Sequence, residues 1–375
     1  MKILITGGAG FIGGHLAARL VRAGCEVTLL DNFSPQIHSD AATREQQLAT
    51  IAKVVIGDVR DREIWKSLLP QHDAVVHLAA ETGTGQSMYE VSRYEAVNIG
   101  GTALMFDVIV NDKLSNIRKV VVASSRAVYG EGRYRCGAHG TVFPLFRAAD
   151  AMRAGDFDPR CPECGVTATL EATHEATPFN PSSFYGLTKQ VQEQMVLMYA
   201  RTLGISAYAL RYQNVYGPGQ SLTNPYTGIL AIFSGLAKQG KAINIFEDGL
   251  ESRDFVFIDD VVESTARCLE SADLCVTSLN VGSGVGTDVL TVARSIVAYY
   301  GSTSPVQVTG AFRLGDIRHN VADLSLLRST IGFVPGIDFQ TGLRRFLDWT
   351  EGQHRGEDQY DHSLAEMRTR GLMNG

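Results

Sequence analysis

Seven residues, Gly7-Gly8-Ala9-Gly10-Phe11-Ile12-Gly13, follow directly on the β-branched run Lys2–Thr6 and open an amphipathic helical pattern. This spacing constrains the chain more than any other feature in it. Gly7 permits a tight turn, Gly10 lets backbone N–H groups approach an anion at the positive end of the helix, and Gly13 lets helix and strand pack closely. Strand, glycine turn and helix in that order predict a pyrophosphate site, with Phe11 and Ile12 in the first helical turn beside it.

Downstream, Glu26–Leu30, Val54–Ile56, Ala74–His77, Lys119–Ala123 and Ser206–Leu210 read as further strands, with helical patterns between them. Such alternation builds βαβ units and a parallel sheet with helices on both faces and ligands at the carboxyl ends of its strands. The fold class is therefore α/β: a Rossmann-type, doubly wound parallel sheet with a smaller C-terminal α/β region that holds substrate. We expect a dinucleotide domain over residues 1–214, a substrate region over 215–352 and a polar tail over 353–375 whose last residues are loose. Residues 133–177 break the alternation and read as an insertion that contains cysteine and histidine.

Asp31 ends the second strand about 20 residues beyond the glycines, where a carboxylate accepts from the adenosine ribose hydroxyls and repels a 2′-phosphate. The cofactor is expected to be NAD, with Asn32 beside Asp31. Asp58-Val59, after the third strand, are expected at the adenine, although Asp58 reads equally well as a helix cap. Leu78-Ala79-Ala80, after the fourth, would line the dinucleotide with small side chains.

The formal net charge of −6 argues against general affinity for nucleic acid. No apolar run approaches the roughly 20 residues of a membrane-spanning helix. The N-terminus passes from one lysine straight into a strand, without the apolar stretch of a signal peptide, so the expected location is the cytoplasm.

Tyr185-Gly186-Leu187-Thr188-Lys189 places a phenol and an ammonium on one helix face. A nearby cation favours the phenolate, which makes Tyr185 a candidate base and gives Lys189 a second task at the nicotinamide ribose. With the glycine turn and Ser125-Arg126-Ala127-Val128-Tyr129-Gly130, this constellation resembles the extended short-chain dehydrogenase/reductase family across nearly the whole chain outside the insertion.

The resemblance implies a triad of Ser125, Tyr185 and Lys189, and a cofactor-proximal asparagine at Asn98, which reads alternatively as a polar anchor inside a helix. It also implies a substrate diphosphate held by Asn214, Arg253 and Arg313, with Phe246 a candidate for stacking on the base. The family's 4,6-dehydratases carry Asp-Glu where this chain has Arg126-Ala127, so the resemblance favours 4-epimerisation through a transient 4-keto sugar. The segment Gly219-Gln220-Ser221-Leu222-Thr223-Asn224-Pro225-Tyr226-Thr227-Gly228 resembles the subgroup acting on dTDP-L-rhamnose. UDP-sugar epimerisation (UDP-glucose type) and another sugar-nucleotide dehydration are the alternatives, with a catalytically silent NAD-binding sensor more remote. Family members pair through helices equivalent to Thr102–Val110 and Val191–Leu203, which implies a homodimer unless these helices only cover their own sheet.

The six cysteines fall into two groups. Cys25, Cys268 and Cys275 read as small buried residues. Cys136-Gly137-Ala138-His139 and Cys161-Pro162-Glu163-Cys164-Gly165 form two knuckle-like pairs whose three thiolates and one imidazole suit a closed, structural zinc site. Reduced cysteines in a metal-free loop are the alternative, and His174 is a substitute ligand or a surface histidine.

Asp31 generates the first prediction. Two unit charges 4 Å apart interact by about 1 kcal/mol in water and about 4 kcal/mol at an effective dielectric of 20. Apo-protein should therefore bind NADP about tenfold or more weakly than NAD in a fluorescence titration; equal affinities would sink the assignment.

Overall fold

The computed structural model describes residues 1–38, 40–222, 228–353 and 360–374. Residues 223–227 of the subgroup motif and 354–359 of the expected tail lie outside them. Seven parallel strands form the main sheet: β1 (Lys2–Thr6), β2 (Glu26–Asp31), β3 (Lys53–Ile56), β4 (Ala74–His77), β5 (Lys119–Ser125), β6 (Ser206–Tyr212) and β7 (Val276–Val281). Their order is β7-β6-β5-β4-β1-β2-β3. The order reverses between β1 and β4, so both chain crossovers leave a crevice there at the strands' carboxyl ends. Every residue of β4, β5 and β6 is buried, as expected of strands covered on both faces.

The seventh strand corrects the simple division at residue 214. After the chain has entered the substrate region, Val276–Val281 returns to the main sheet in register with Ala207–Tyr212. The helix Ile258–Glu270 packs on the helix of the glycine turn, α1 (Phe11–Arg22). Arg19 of α1 pairs with Glu263 and Glu270 across that contact.

The insertion is more regular than its composition suggested. Tyr134–Cys136, Gly140–Val142 and Thr169–Leu170 form a three-stranded antiparallel sheet over a small core of Tyr134, Val142 and Ala168 with two cysteines. The tail also departs from expectation. Its helix Tyr360–Thr369 and strand Met373–Asn374 fold back, the strand pairing antiparallel with Phe312–Arg313. Leu364, Met367 and Met373 are buried around Ala311, against Phe246. Of the three scattered cysteines only Cys268 is buried, whereas Cys25 and Cys275 are half-buried.

The helix α2 (Phe184–Leu203) begins at Ser183, whose side chain accepts from the Gly186 N–H, and ends at Gly204 with φ of 67°. Its buried face is polar as well as apolar. Glu193, fully buried, accepts from Arg211 of β6 and from the Ser124 hydroxyl of β5, the latter at 2.6 Å. Arg211 in turn donates to the Tyr129 hydroxyl and to the Glu175 carbonyl.

Removing one member of a buried ion pair leaves the other charge uncompensated, at a cost of about 3–5 kcal/mol. Glu193→Gln should therefore lose about that much in denaturant unfolding. The double change Glu193→Leu with Arg211→Met should cost less than Glu193→Gln alone. A single-variant loss below about 1 kcal/mol would contradict this account.

Candidate active site

The crevice at the β1/β4 reversal is a cleft of about 400 Å³. Gly7, Gly10, Phe11, Ile12, Gly13, Asp31, Asn32, Asp58, Val59, Leu78, Ala79 and Ala80 all line it, together with Ser125, Tyr185 and Lys189. The glycines are sterically required. Gly7 sits at φ of +65°, and a Cβ there would lie 2.7 Å from the Ala79 nitrogen, while one on Gly13 would lie 2.6 Å from the Gly7 carbonyl oxygen. Side chains at these positions would run into the backbone at Ala79 and at Gly7–Gly8 and keep the turn from closing against β4 and α1.

Asp31 accepts from the backbone N–H of Ala9 at 3.0 Å and of Phe33 at 2.8 Å, which fixes its carboxylate between the glycine turn and the mouth of β2. Asp58 accepts from Asn32 at 3.0 Å and from Arg60, and the Arg60 hydrogen bonds hold its carboxyl down at about 2 despite partial burial. The helix-cap reading falls instead to Asp61, which accepts from the Glu63 N–H at the start of Arg62–Leu68. Asn98 is fully buried, and its amide bonds the Glu81 backbone on both sides and the Thr188 hydroxyl at 2.9 Å. It thereby ties the loop after β4 to α2, so it shapes the cofactor cleft through Glu81 and Thr188.

Ser125 ends β5, and Tyr185 and Lys189 stand one turn apart on α2 beside it. Burial raises the Tyr185 phenol, and the hydrogen bond from Ser125 and the charge of Arg126 offset part of that rise. The Lys189 ammonium donates to the Ala123 carbonyl at 2.8 Å and to Gln192 at 2.9 Å. Burial lowers it to about 7. An ammonium has three N–H groups, so one remains for a ribose hydroxyl in the cleft. These residues fit a dinucleotide on three independent counts: a glycine turn, a carboxylate lining the cleft at the end of β2 and an ammonium with a third N–H.

The residues expected at the substrate form contacts of their own outside the cleft lining. Asn214 accepts from Arg126 at 3.0 Å, Arg253 donates to Asp316 at 3.0 Å, and the Arg313 guanidinium lies 4.8 Å from the centre of the Phe246 ring. Burial alone would raise Asp316, but Arg253, Arg313, Arg147 and Arg126 together hold it at about 2. Arg147 is itself paired with Glu131 and Glu247, whereas the planar forks of Arg126, Arg253 and Arg313 have a geometry that suits phosphate oxygens.

Sequence reading used Arg126 only as a missing acid; the structure makes it a site residue. Sequence carried no signal for this, because successive side chains of an extended chain point to opposite faces and only the turn Arg126–Tyr129 brings Arg126 to Asn214. Burial and the adjacent Arg253 lower it to about 10. Phe246 faces Arg313 on one side and packs against the tail cluster on the other. The knuckle residues Cys136, His139, Cys161 and Cys164 come together away from the cleft, with all four donor atoms within 4.8 Å of one another.

A dinucleotide cradle and a Ser-Tyr-Lys constellation on one parallel sheet define an NAD-dependent enzyme of the extended short-chain type. The chain belongs to the NAD dependent epimerase/dehydratase family, whose model matches residues 3–142 and 161–282. It is 41% identical over 350 residues to the dTDP-L-rhamnose 4-epimerase of Burkholderia thailandensis, covering 93% of this chain and 94% of that protein. Among solved structures, the UDP-glucose 4-epimerase of Thermotoga maritima with UDP-glucose superposes with a TM-score of 0.75 at 26% identity, covering 94% of this chain and 99% of that one. The UDP-glucose 4-epimerase of Thermus thermophilus in complex with NAD gives 0.73 at 25% identity, covering 94% and 100%.

Proton transfer by a positioned side chain contributes about 10²–10⁴-fold. Tyr185→Phe should keep the fold and NAD binding while lowering turnover at least about 10²-fold, measured by circular dichroism, cofactor titration and product assay. Near-normal turnover would remove Tyr185 from its role.

Proposed function

We propose that this protein is a sugar-nucleotide 4-epimerase acting on dTDP-L-rhamnose, with NAD held in the β1/β4 cleft. The observation that carries the reaction is the set Ser125, Tyr185 and Lys189 joined to Arg126 in place of an acid. Tyr185 takes the proton of the sugar C4 hydroxyl, Ser125 holds that oxygen, and Lys189 keeps the ribose in place and favours the phenolate. NAD, when bound, supplies the acceptor for the C4 hydride and its return to the opposite face. Elimination of water from the 4-keto sugar would need a carboxylic acid and base beside Ser125. The guanidinium of Arg126 stays charged at neutral pH and serves neither task.

Asn214, Arg253 and Arg313 receive the diphosphate, with the Arg126 side chain beside Asn214 setting the depth at which the sugar lies. The likeness to the Burkholderia enzyme supports the deoxysugar and dTDP. The UDP-glucose complex of the Thermotoga protein supports a second reading, a UDP-sugar substrate in the same pocket. We further propose a cytoplasmic homodimer joined through Gly101–Asn111 and α2; on these helices Val110, Leu187 and Met198 are exposed apolar residues. Among the described residues, no helix is long and apolar enough to cross a membrane.

Purified protein incubated with dTDP-L-rhamnose and with UDP-sugars, without added cofactor, should invert C4 of the dTDP-sugar, read by NMR of the products. Conversion confined to UDP-sugars would move the reading to the second substrate, and inertness toward every sugar nucleotide despite bound NAD would overturn it.

A further inference from the structure

The insertion contains a constellation that the reaction does not use. We propose that Cys136, His139, Cys161 and Cys164 hold one structural zinc ion that fastens the insertion between Ser125 and Tyr185. The donors come from two tight turns. Cys136 ends the strand Tyr134–Cys136 and pairs in register with Gly140, placing His139 at the bend between the first two strands. Cys161 and Cys164 flank a second bend, closed by the Gly165 N–H on the Cys161 carbonyl at 2.9 Å and by the Cys161 N–H on the Val166 carbonyl at 2.8 Å.

The separations match a metal and not a disulfide. The His139 Nδ1 lies 3.6 Å from both the Cys136 and Cys161 sulfurs, and the Cys136 and Cys164 sulfurs are 3.7 Å apart. A tetrahedral zinc with Zn–S near 2.3 Å and Zn–N near 2.0–2.1 Å spaces sulfur from sulfur by about 3.8 Å and sulfur from nitrogen by about 3.6 Å. A disulfide needs its sulfurs at about 2.0 Å. Three thiolates and an imidazole fill four positions and leave none for water, so the ion is structural. His174 stands apart from this cluster.

The insertion also needs a staple. Its sheet packs on Tyr134, Cys136, Val142, Cys161 and Ala168, two of which are ligands, and apart from these only Met152 and Phe157 cluster on Phe312, so the apolar contacts are few for a segment of this length. The family model passes over residues 143–160, which lie between the two ligand pairs. From the zinc-held sheet, contacts run into the substrate half. Tyr134 donates to Glu131, which accepts from the Arg318 N–H, and Arg147 grips Glu247 with two hydrogen bonds. The Thr173 N–H donates to the Val321 carbonyl just before the chain turns toward α2.

The test uses the full-length protein purified without chelator under reducing conditions. Elemental analysis should find one zinc per chain, and release by a mercurial titrant, followed with a zinc-binding dye, should free the ion as three thiols react. Cys161→Ser and His139→Ala should each lose the zinc and lower the melting temperature, while Cys25→Ser leaves both unchanged. If either variant fails to fold, the titrant experiment on unaltered protein still decides. Zinc well below one per chain even after zinc is added back, iron in its place, or a Cys136–Cys164 disulfide in the reduced preparation would each overturn the proposal, as would full zinc retention in Cys161→Ser. None of these outcomes depends on the substrate, so failure here is distinct from failure of the epimerase assignment.

Discussion

One buried ion pair sets the register on which the catalytic geometry depends. Glu193 on α2 meets Arg211 on β6, and each reaches further: Glu193 to Ser124 of β5, Arg211 to Tyr129 and to the exit of the insertion at Glu175. Tyr129 passes the chain of contacts on to Asn280 of β7 at 2.7 Å. A buried pair of this kind adds little net stability, because desolvation offsets most of the attraction. What it fixes is position. Sliding α2 by one residue along β5 would strand both charges, so Tyr185 and Lys189 stay level with Ser125. The guanidinium also lies against the rings of Tyr129 and Phe179, which limits its own alternatives.

The same logic explains the division of labour between the two halves of the site. The cleft at the β1/β4 reversal is built from backbone turns and small residues, whereas the neighbouring cluster around Asp316 is built from charge. Arg126 links them, since it bonds Asn214 and its field reaches Tyr185. A carboxyl pair at positions 126 and 127 would give this pocket an acid and a base for elimination. A guanidinium instead gives it one more fixed cation, which favours the phenolate. The chemistry is thereby narrowed to oxidation and reduction at a single carbon.

How much of this was legible depended on how local the determining physics is. Lys2–Thr6 and Ala74–His77 were placed to the residue, because central parallel strands read as unbroken apolar runs bounded by polar turns. The glycine cradle was legible for the same reason: its steric demand is met within seven residues. The return of Val276–Val281 to the main sheet was not, because pairing with β6 is a contact across some seventy residues. The insertion's strands are two or three residues long and carry no period to detect. Asp58 read as a helix cap because the sequence does not show that the helix starts three residues later, at Asp61.

The C-terminal tail shows the limit most clearly. Read alone, its polar composition has too few apolar residues to fold, and nothing in it marks a partner. In the structure its few apolar residues suffice because the receiving surface supplies the rest. Leu364, Met367 and Met373 close over Ala311 and Phe246, and the strand at Met373 takes the open edge of Phe312–Arg313. That edge carries Arg313, one of the cations around Asp316. The Leu314 N–H donates to the Leu372 carbonyl at 3.1 Å, and Tyr89, on the loop beyond β4, donates to Glu366 at 3.0 Å. The tail therefore touches the segment that holds Arg313 and also the loop beyond β4. An edge strand left unpaired would expose its backbone donors to water and leave Arg313 on a segment free to move. Pairing it ties the position of Arg313 to the strand Met373–Asn374.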